Sequence, residues 1–293
     1  MNASPMLQGA LLLTLGEAML VLMAASIKHV APETGTLMVV FLRNFFGLMV
    51  LLPFVARHGR SLFHSSRPGT MAIRALSGLA SMYLFFYVIA HLPLAEATLV
   101  KLTTPFFMPL IGWFWLKEHI GRHNATAIVT GFIGVLFILR PGAATFDPDL
   151  LVGILSALLA SVAMVAIREM NDTEPPDRIV FHFGVVSTLV SAVPLFWAWQ
   201  TPDWHLWPWL LATGLTGTAG QLMITRAFQL APPGRIGPFN YTSVVFAAAL
   251  GWLFWNEALL ATTIVGSVLI FVAGFINLRG NTRKTVVTDD GSV

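Results

Sequence analysis

The sequence contains no cysteine, so disulfide frameworks and thiolate metal sites are excluded. Charge is scarce as well. Only 11% of its 293 residues are Asp, Glu, Lys or Arg, where a soluble domain carries about 25%. Acids and bases nearly balance, at a formal net charge of +3, which leaves no basic surface for a nucleic acid. A Gly-x-x-x-x-Gly-Lys loop for a nucleotide and a His-Glu-x-x-His zinc helix are both missing. The histidines are scattered without metal-ligand spacing. No metal and no cofactor are expected.

What is abundant is apolar, at 56% of the chain. A bilayer core roughly 30 Å thick needs about 20 apolar residues at about 1.5 Å rise each. Ten stretches qualify: 7–28, 34–56, 70–90, 94–116, 122–140, 148–168, 178–199, 206–228, 234–255 and 259–279. The expected fold is therefore an all-α integral membrane protein with ten transmembrane helices and a polar tail over 281–293. Placing the N-terminus inside puts twelve Lys and Arg on inner loops and the tail. Only Lys28 and Arg140 then fall outside. That bias orients both termini toward the cytoplasm.

The two halves resemble each other. Gly112-Trp113-Phe114-Trp115-Leu116-Lys117-Glu118 lines up with Gly251-Trp252-Leu253-Phe254-Trp255-Asn256-Glu257. An arginine follows each Glu by 22 residues, Arg140 and Arg279. The chain reads as 5+5 helices, 1–142 and 143–280. Five is odd, so the second copy enters the membrane from the opposite side. An inverted-topology repeat is the usual basis of secondary transport, because two near-equivalent halves can expose a midplane site to either side in turn. An integral membrane enzyme acting on a lipid-linked substrate is the alternative from another class. It would need paired carboxylates or a metal cluster at the interface, and neither can be read.

These features resemble the drug/metabolite transporter superfamily and its ten-helix EamA-type branch, over almost the whole chain. The most specific stretch runs from Leu94-Ala95-Glu96-Ala97 through Pro105 to Trp115-Leu116-Lys117-Glu118, and Phe41-Leu42-Arg43 is similar to the family's helix-2 arginine. Val244 departs from the pattern, standing where Pro105 would repeat. Within the family the chain looks nearest to YddG-type exporters of aromatic amino acids. The resemblance implies export of amino acids or related metabolites across the cell inner membrane, through a cavity lined by helices 1, 3, 4, 6, 8 and 9. Drug or metabolite export coupled to proton antiport is the other mechanism left open. The expected partners are a small-molecule substrate and the lipid bilayer, with the chain a monomer.

Polar side chains inside hydrocarbon cost several kcal/mol and ask for a reason. Glu17 falls near the middle of helix 1, and Lys101 about 10 Å into helix 4. The repeat sets Asn240 opposite Lys101, with Tyr241 beside it. Pro105 removes a helical hydrogen bond and is the candidate hinge. Ser77, Ser81 and Tyr83 on helix 3, Ser161 and Met164 on helix 6, and Gln221 on helix 8 complete the candidate substrate-binding set. Arg43 and Arg74 are expected to anchor or pair structurally. Glu118 and Glu257 are expected to satisfy the amides of the helices that follow them, and His182 to make an ordinary polar contact.

Overall fold

The computed structural model describes residues 5–58, 64–117, 120, 122–139, 147–170, 172–231, 236–258 and 260–288. Every regular element among them is helical. Glu118, Arg140 and the boundary expected between 142 and 143 lie outside the described residues.

Helix covers Pro5–His58, broken at Gly35, whose φ of 72° and ψ of 152° suit a residue without Cβ. The part before the break (5–34) is α1 and the part after it (36–58) is α2. Next comes α3, Pro68–His91, with Pro68 in the first turn where no amide donor is needed. It stops at Leu92, which is extended (ψ 162°) because the ring of Pro93 excludes helical backbone in the residue before it. The following helices are α4 (Leu94–Lys101), α5 (Thr104–Trp115), α6 (Arg122–Leu139), α7 (Asp149–Met170), α8 (Pro176–Ala192) and α9 (Leu195–Ala198). A turn of 3-10 helix, Trp204–Leu206, leads into α10 (Trp207–Leu230), and another, Gly237–Tyr241, into α11 (Thr242–Trp255). The last helix, α12, covers Ala261–Thr288 and so runs into the stretch expected as a tail.

Two residues other than glycine have positive φ among the described ones: Lys117 at 58° and Asn256 at 54°. They occupy the same place in the two repeated motifs, each just before the Glu. A left-handed residue there ends α5 and α11 alike.

The outer surface is apolar. Pro5–Val50, Pro68–His91, Leu94–Trp115 and Asp149–Met170 are long and apolar enough to cross a bilayer, while Ile128–Ile138, Arg178–Ala192, Phe239–Trp255 and Ala261–Ile276 are apolar but shorter. Phe114, Phe196, Trp197, Trp252 and Val245 all point outward. In water such a belt would be a liability, and lipid is its natural solvent.

Small residues draw the helices together. A Cβ at Gly16 of α1 would lie 3.1 Å from the Gly220 carbonyl of α10, and one at Gly266 of α12 only 2.6 Å from the Gly134 carbonyl of α6. Between α3 and α7, the Ser81 hydroxyl donates to the Ser156 carbonyl (2.8 Å) and the Ser156 hydroxyl to the Ser81 carbonyl (2.9 Å). Close backbone approach and interhelical hydrogen bonds are what hold helices together in lipid, where apolar burial gives no net gain.

Candidate functional site

The site begins with a helix that does not run straight. The expected span 94–116 divides into α4 and α5, with Leu102 and Thr103 between them. Pro105 has no N–H to offer the carbonyl four residues back, that of Lys101. The Thr104 hydroxyl takes over, donating to Lys101 O at 2.7 Å, and the Thr103 hydroxyl donates to Val100 O at 2.6 Å. Pro109, inside α5, likewise leaves the Pro105 carbonyl without a helical donor. Ser161 of α7 ties the break to its neighbour by donating to Thr104 O at 2.8 Å.

Beside this break lies a cavity of roughly 820 Å³, counted with its open mouth. The α3 wall is Arg74, Gly78, Ser81, Met82, Phe85 and Phe86, one helical face. Across from it, α7 supplies Ser156, Ala157, Ala160, Ala163 and Met164. Leu20 and Met23 enter from α1, Arg43 from α2, Lys101 and Thr104 from the broken helix, Phe183 from α8 and Gln221 from α10. Lys101 is exposed although protein surrounds it; the surface it exposes faces this cavity.

The charges are arranged around that space. Glu17 faces the Lys101 ammonium and the Ser243 hydroxyl. Lys101 also lies 5.1 Å from the centre of the Phe85 ring, and within repelling range of Arg43. Arg74 stacks its guanidinium over Phe183 at 4.2 Å. Arg43 donates to the Asn44 side-chain oxygen at 3.1 Å. Both arginines are buried, 7% and 8% exposed, and the Nε of each lacks a hydrogen-bond partner among the described residues.

Of the residues expected from sequence, Ser81, Lys101, Met164 and Gln221 meet at the wall, and Glu17 reaches it through Lys101. The others are placed elsewhere. Ser77 donates to Ile73 O of its own helix (2.6 Å). The Tyr83 hydroxyl is buried without a hydrogen-bond partner among the described residues, packed beside the main core. Ser161 is spent on Thr104 and Ala157 carbonyls. Tyr241 turns to α12, its hydroxyl donating to Ile270 O at 3.3 Å and its ring lying 4.3 Å from Phe271. Asn240 offers its carbonyl to the Ser243 hydroxyl at 2.6 Å. Helix 9 of the expected six contributes no described residue to the wall, where helices 2 and 7 do. Pro105 is exposed at the first turn of α5, beside the break.

Four expectations need correction. Arg43 and Arg74 are cavity residues rather than end anchors, and neither makes an ion pair among the described residues. The signal in the sequence was the face shared by Arg74, Gly78, Ser81, Met82 and Phe85. Glu257 does not serve the helix after it: its Oε2 accepts the Leu94 amide at 2.7 Å, at the start of α4. The other oxygen pairs with Lys28 at 2.6 Å. Lys28, expected as a loop cation, is on a helix and largely covered. His182 is half-buried, and its Nε2 is covered and unpartnered among the described residues.

At the opposite ends of the helices, Glu174 collects the start of α3. It accepts from the Ser65 hydroxyl (2.7 Å), the Ser66 amide (2.6 Å) and hydroxyl (2.8 Å), and from Arg178 (2.7 Å). Burial alone would push its carboxyl up, but these hydrogen bonds outweigh it and hold the group down at about 2. Elsewhere, Glu33, Asp203 and His205 bring ligand atoms within 4.8 Å of one another on an exposed surface, a cluster that no sequence spacing announced.

A model of the EamA-like transporter family matches residues 7–140 and again residues 148–279. The chain belongs to this family. It is a multi-pass membrane protein and a transporter of small molecules, not an enzyme. The pseudopaline exporter CntI of Pseudomonas aeruginosa is 34% identical over 268 residues, covering 90% of this chain and 94% of that protein. An S-adenosylmethionine uptake transporter of Rickettsia bellii is 26% identical, covering 84% of each. A riboflavin transporter of Vibrio cholerae is 23% identical over 95% of each. One crystal structure superposes at a TM-score of 0.64 with 19% identity, over 97% of this EamA-like transporter and 99% of that chain, which shows a shared fold.

Proposed function

We propose that this EamA-like transporter exports an amino acid or a related small metabolite across the cell inner membrane by alternating access. The observation that carries the reading is the cavity at the α4–α5 break, where Lys101, Arg43 and Arg74 gather with Glu17 and the rings of Phe85 and Phe183. A zwitterion needs both charge signs in a site closed off from water, and an apolar or aromatic side chain needs the rings. Carriage outward draws support from the pseudopaline exporter relative. The relative named for S-adenosylmethionine uptake is less similar to this chain.

Ten spans in two inverted halves, 1–142 and 143–280, with cytoplasmic termini, complete the reading. The twofold family match and the shared left-handed backbone of Lys117 and Asn256 support it. A single chain encloses the cavity, so a monomer suffices. The test is counterflow in proteoliposomes loaded with amino acids one at a time, with and without an imposed pH gradient. Loading from the trans side should accelerate uptake of the labelled solute, as expected when one site alternates between faces. Absence of trans-acceleration for every amino acid tested would overturn the exporter reading.

A further inference from the structure

Charge bookkeeping at the cavity leads beyond an ordinary amino acid. Lys101 has a carboxylate facing it, that of Glu17. Arg43 and Arg74 have none among the described residues: one donates to a neutral amide oxygen, and the other rests on an aromatic ring. Both are more than nine-tenths buried, both line the cavity, and both hold an Nε with no partner among the described residues. A guanidinium in that state is costly to keep, because desolvation is uncompensated by an anion or a full set of hydrogen bonds. Protein structures retain such groups in lipid where they face a cavity and serve a ligand.

The repeat supplies a second observation. Leu76-Ser77-Gly78 and Leu215-Thr216-Gly217 are separated by the same 139 residues that separate Glu118 from Glu257. At each of these equivalent glycines a guanidinium lies against the helix. A Cβ on Gly78 would stand 2.5 Å from Arg74 Nη1, and one on Gly217 would stand 2.6 Å from Met23 Sδ and 3.4 Å from Arg43 Nε. Each half thus has a glycine with an arginine beside it, Arg74 directly over Gly78 and Arg43 next to Met23 at Gly217. Arginine's planar fork suits a carboxylate held by two parallel hydrogen bonds.

Resting on the exporter reading above, we infer that Arg43 and Arg74 are two carboxylate-binding arms, and that the transported solute carries at least two carboxylates beside its basic nitrogen. Two unmatched guanidinium charges call for two negative charges. Their seats on different halves favour two separate carboxylates over one compact dianion such as phosphate.

The experiment uses the purified full chain in detergent, with tryptophan fluorescence reporting binding of glycine, iminodiacetate and inorganic phosphate. Iminodiacetate differs from glycine by a second carboxymethyl group on the same nitrogen. It should bind at least about tenfold more tightly than glycine or phosphate, and Arg43→Gln or Arg74→Gln should bring it to the level of glycine. Gly78→Ala keeps both charges while crowding the seat of Arg74; it should lower the preference several-fold and covers the case in which the arginine variants do not fold. Equal affinity for glycine and iminodiacetate, phosphate binding as tightly as iminodiacetate, or an unchanged preference in folded variants each overturns the inference. Counterflow of glycine and iminodiacetate at equal rates and affinities would leave the exporter reading standing and remove this one. Wild-type preference for iminodiacetate together with no trans-acceleration for any amino acid would keep the two binding arms and remove the exporter reading.

Discussion

The Lys28 ammonium lies 2.6 Å from the Glu257 carboxylate, and the pair joins the two segments that the family model matches separately. Lys28 lies toward the C-terminal end of α1 in the first half, and Glu257 follows α11 in the second. The same two side chains also hold the α3–α4 turn, Lys28 through the Leu92 carbonyl at 2.5 Å and Glu257 through the Leu94 amide at 2.7 Å. Three separate elements are latched at one end of the bundle by a single pair of charges, 10% and 15% exposed. Removing one partner of a pair this well covered leaves the other charge stranded.

If the latch keeps that end closed, Lys28→Met opens it. The chain has no cysteine, so Ala160→Cys in the cavity wall is a unique label site without further engineering. Lys28→Met in that background is expected to raise the labelling rate by a membrane-impermeant maleimide about tenfold, the population shift that about 1.4 kcal/mol produces. Lys28→Arg should stay near the parent rate. Equal labelling in all three would show that the pair does not gate the cavity.

Pro105→Ala restores the amide that the Lys101 carbonyl lacks. The helix should gain stability, since proline inside a helix costs roughly 3 kcal/mol and some of that is already avoided by its place in the first turn of α5. Transport should nevertheless slow, by about tenfold, because a straightened helix turns Lys101 away from the cavity. Melting temperature and counterflow rate, measured on one preparation, should therefore move in opposite directions. A variant that is both more stable and equally fast would remove the hinge role.

The reciprocal Ser81–Ser156 bonds make a different kind of claim, about packing. Each serine both donates and accepts, so loss of either hydroxyl removes one carbonyl bond and the contact between the hydroxyls themselves, 3.2 Å apart. Single Ala variants should cost about 0.6–1.7 kcal/mol, the range that interhelical hydrogen bonds show in membranes. The double variant should cost less than twice a single one, because the two bonds share both residues. Thermal unfolding in one detergent gives all three values, and strict additivity would show the bonds to be independent.

Much of this was legible before any coordinates. Apolar runs gave the helices, because in lipid every span must satisfy its own backbone and length leaves little choice. Lys101 was legible for a related reason: a cation on a stripe of Ala97, Thr98 and Thr104 has no business facing hydrocarbon. Arg43 and Arg74 were misjudged because depth was counted from helix ends, while the direction a side chain faces depends on its neighbours. Tyr241 and Asn240 were assigned by symmetry with Lys101, and the symmetry fails locally where the second half lacks the proline of the first. There a 3-10 turn replaces the break, and Tyr241 drops onto Gly274, where a Cβ would collide with its hydroxyl. The Glu174 cluster could not be read at all, since it depends on two loops 108 residues apart meeting.

That cluster carries a dependence on pH. Glu174 is held at about 2 in the folded chain by hydroxyl, amide and guanidinium donors, against about 4.3 for a free glutamate. A carboxyl depressed by folding stabilises the fold fully at pH values above its unfolded pKa. The contribution fades as pH falls from about 4.5 toward about 2, when protonation costs the folded state its bonds to Ser65, Ser66 and Arg178. Unfolding temperatures of the wild type should therefore drop across that window more steeply than those of Glu174→Gln, which has no proton to take up there. At neutral pH the order reverses and the Gln variant is the less stable, because an amide replaces a charged acceptor of several donors. Parallel curves for the two proteins between pH 6 and about 3 would mean that the hydrogen bonds to Glu174 do not survive in the membrane-embedded chain.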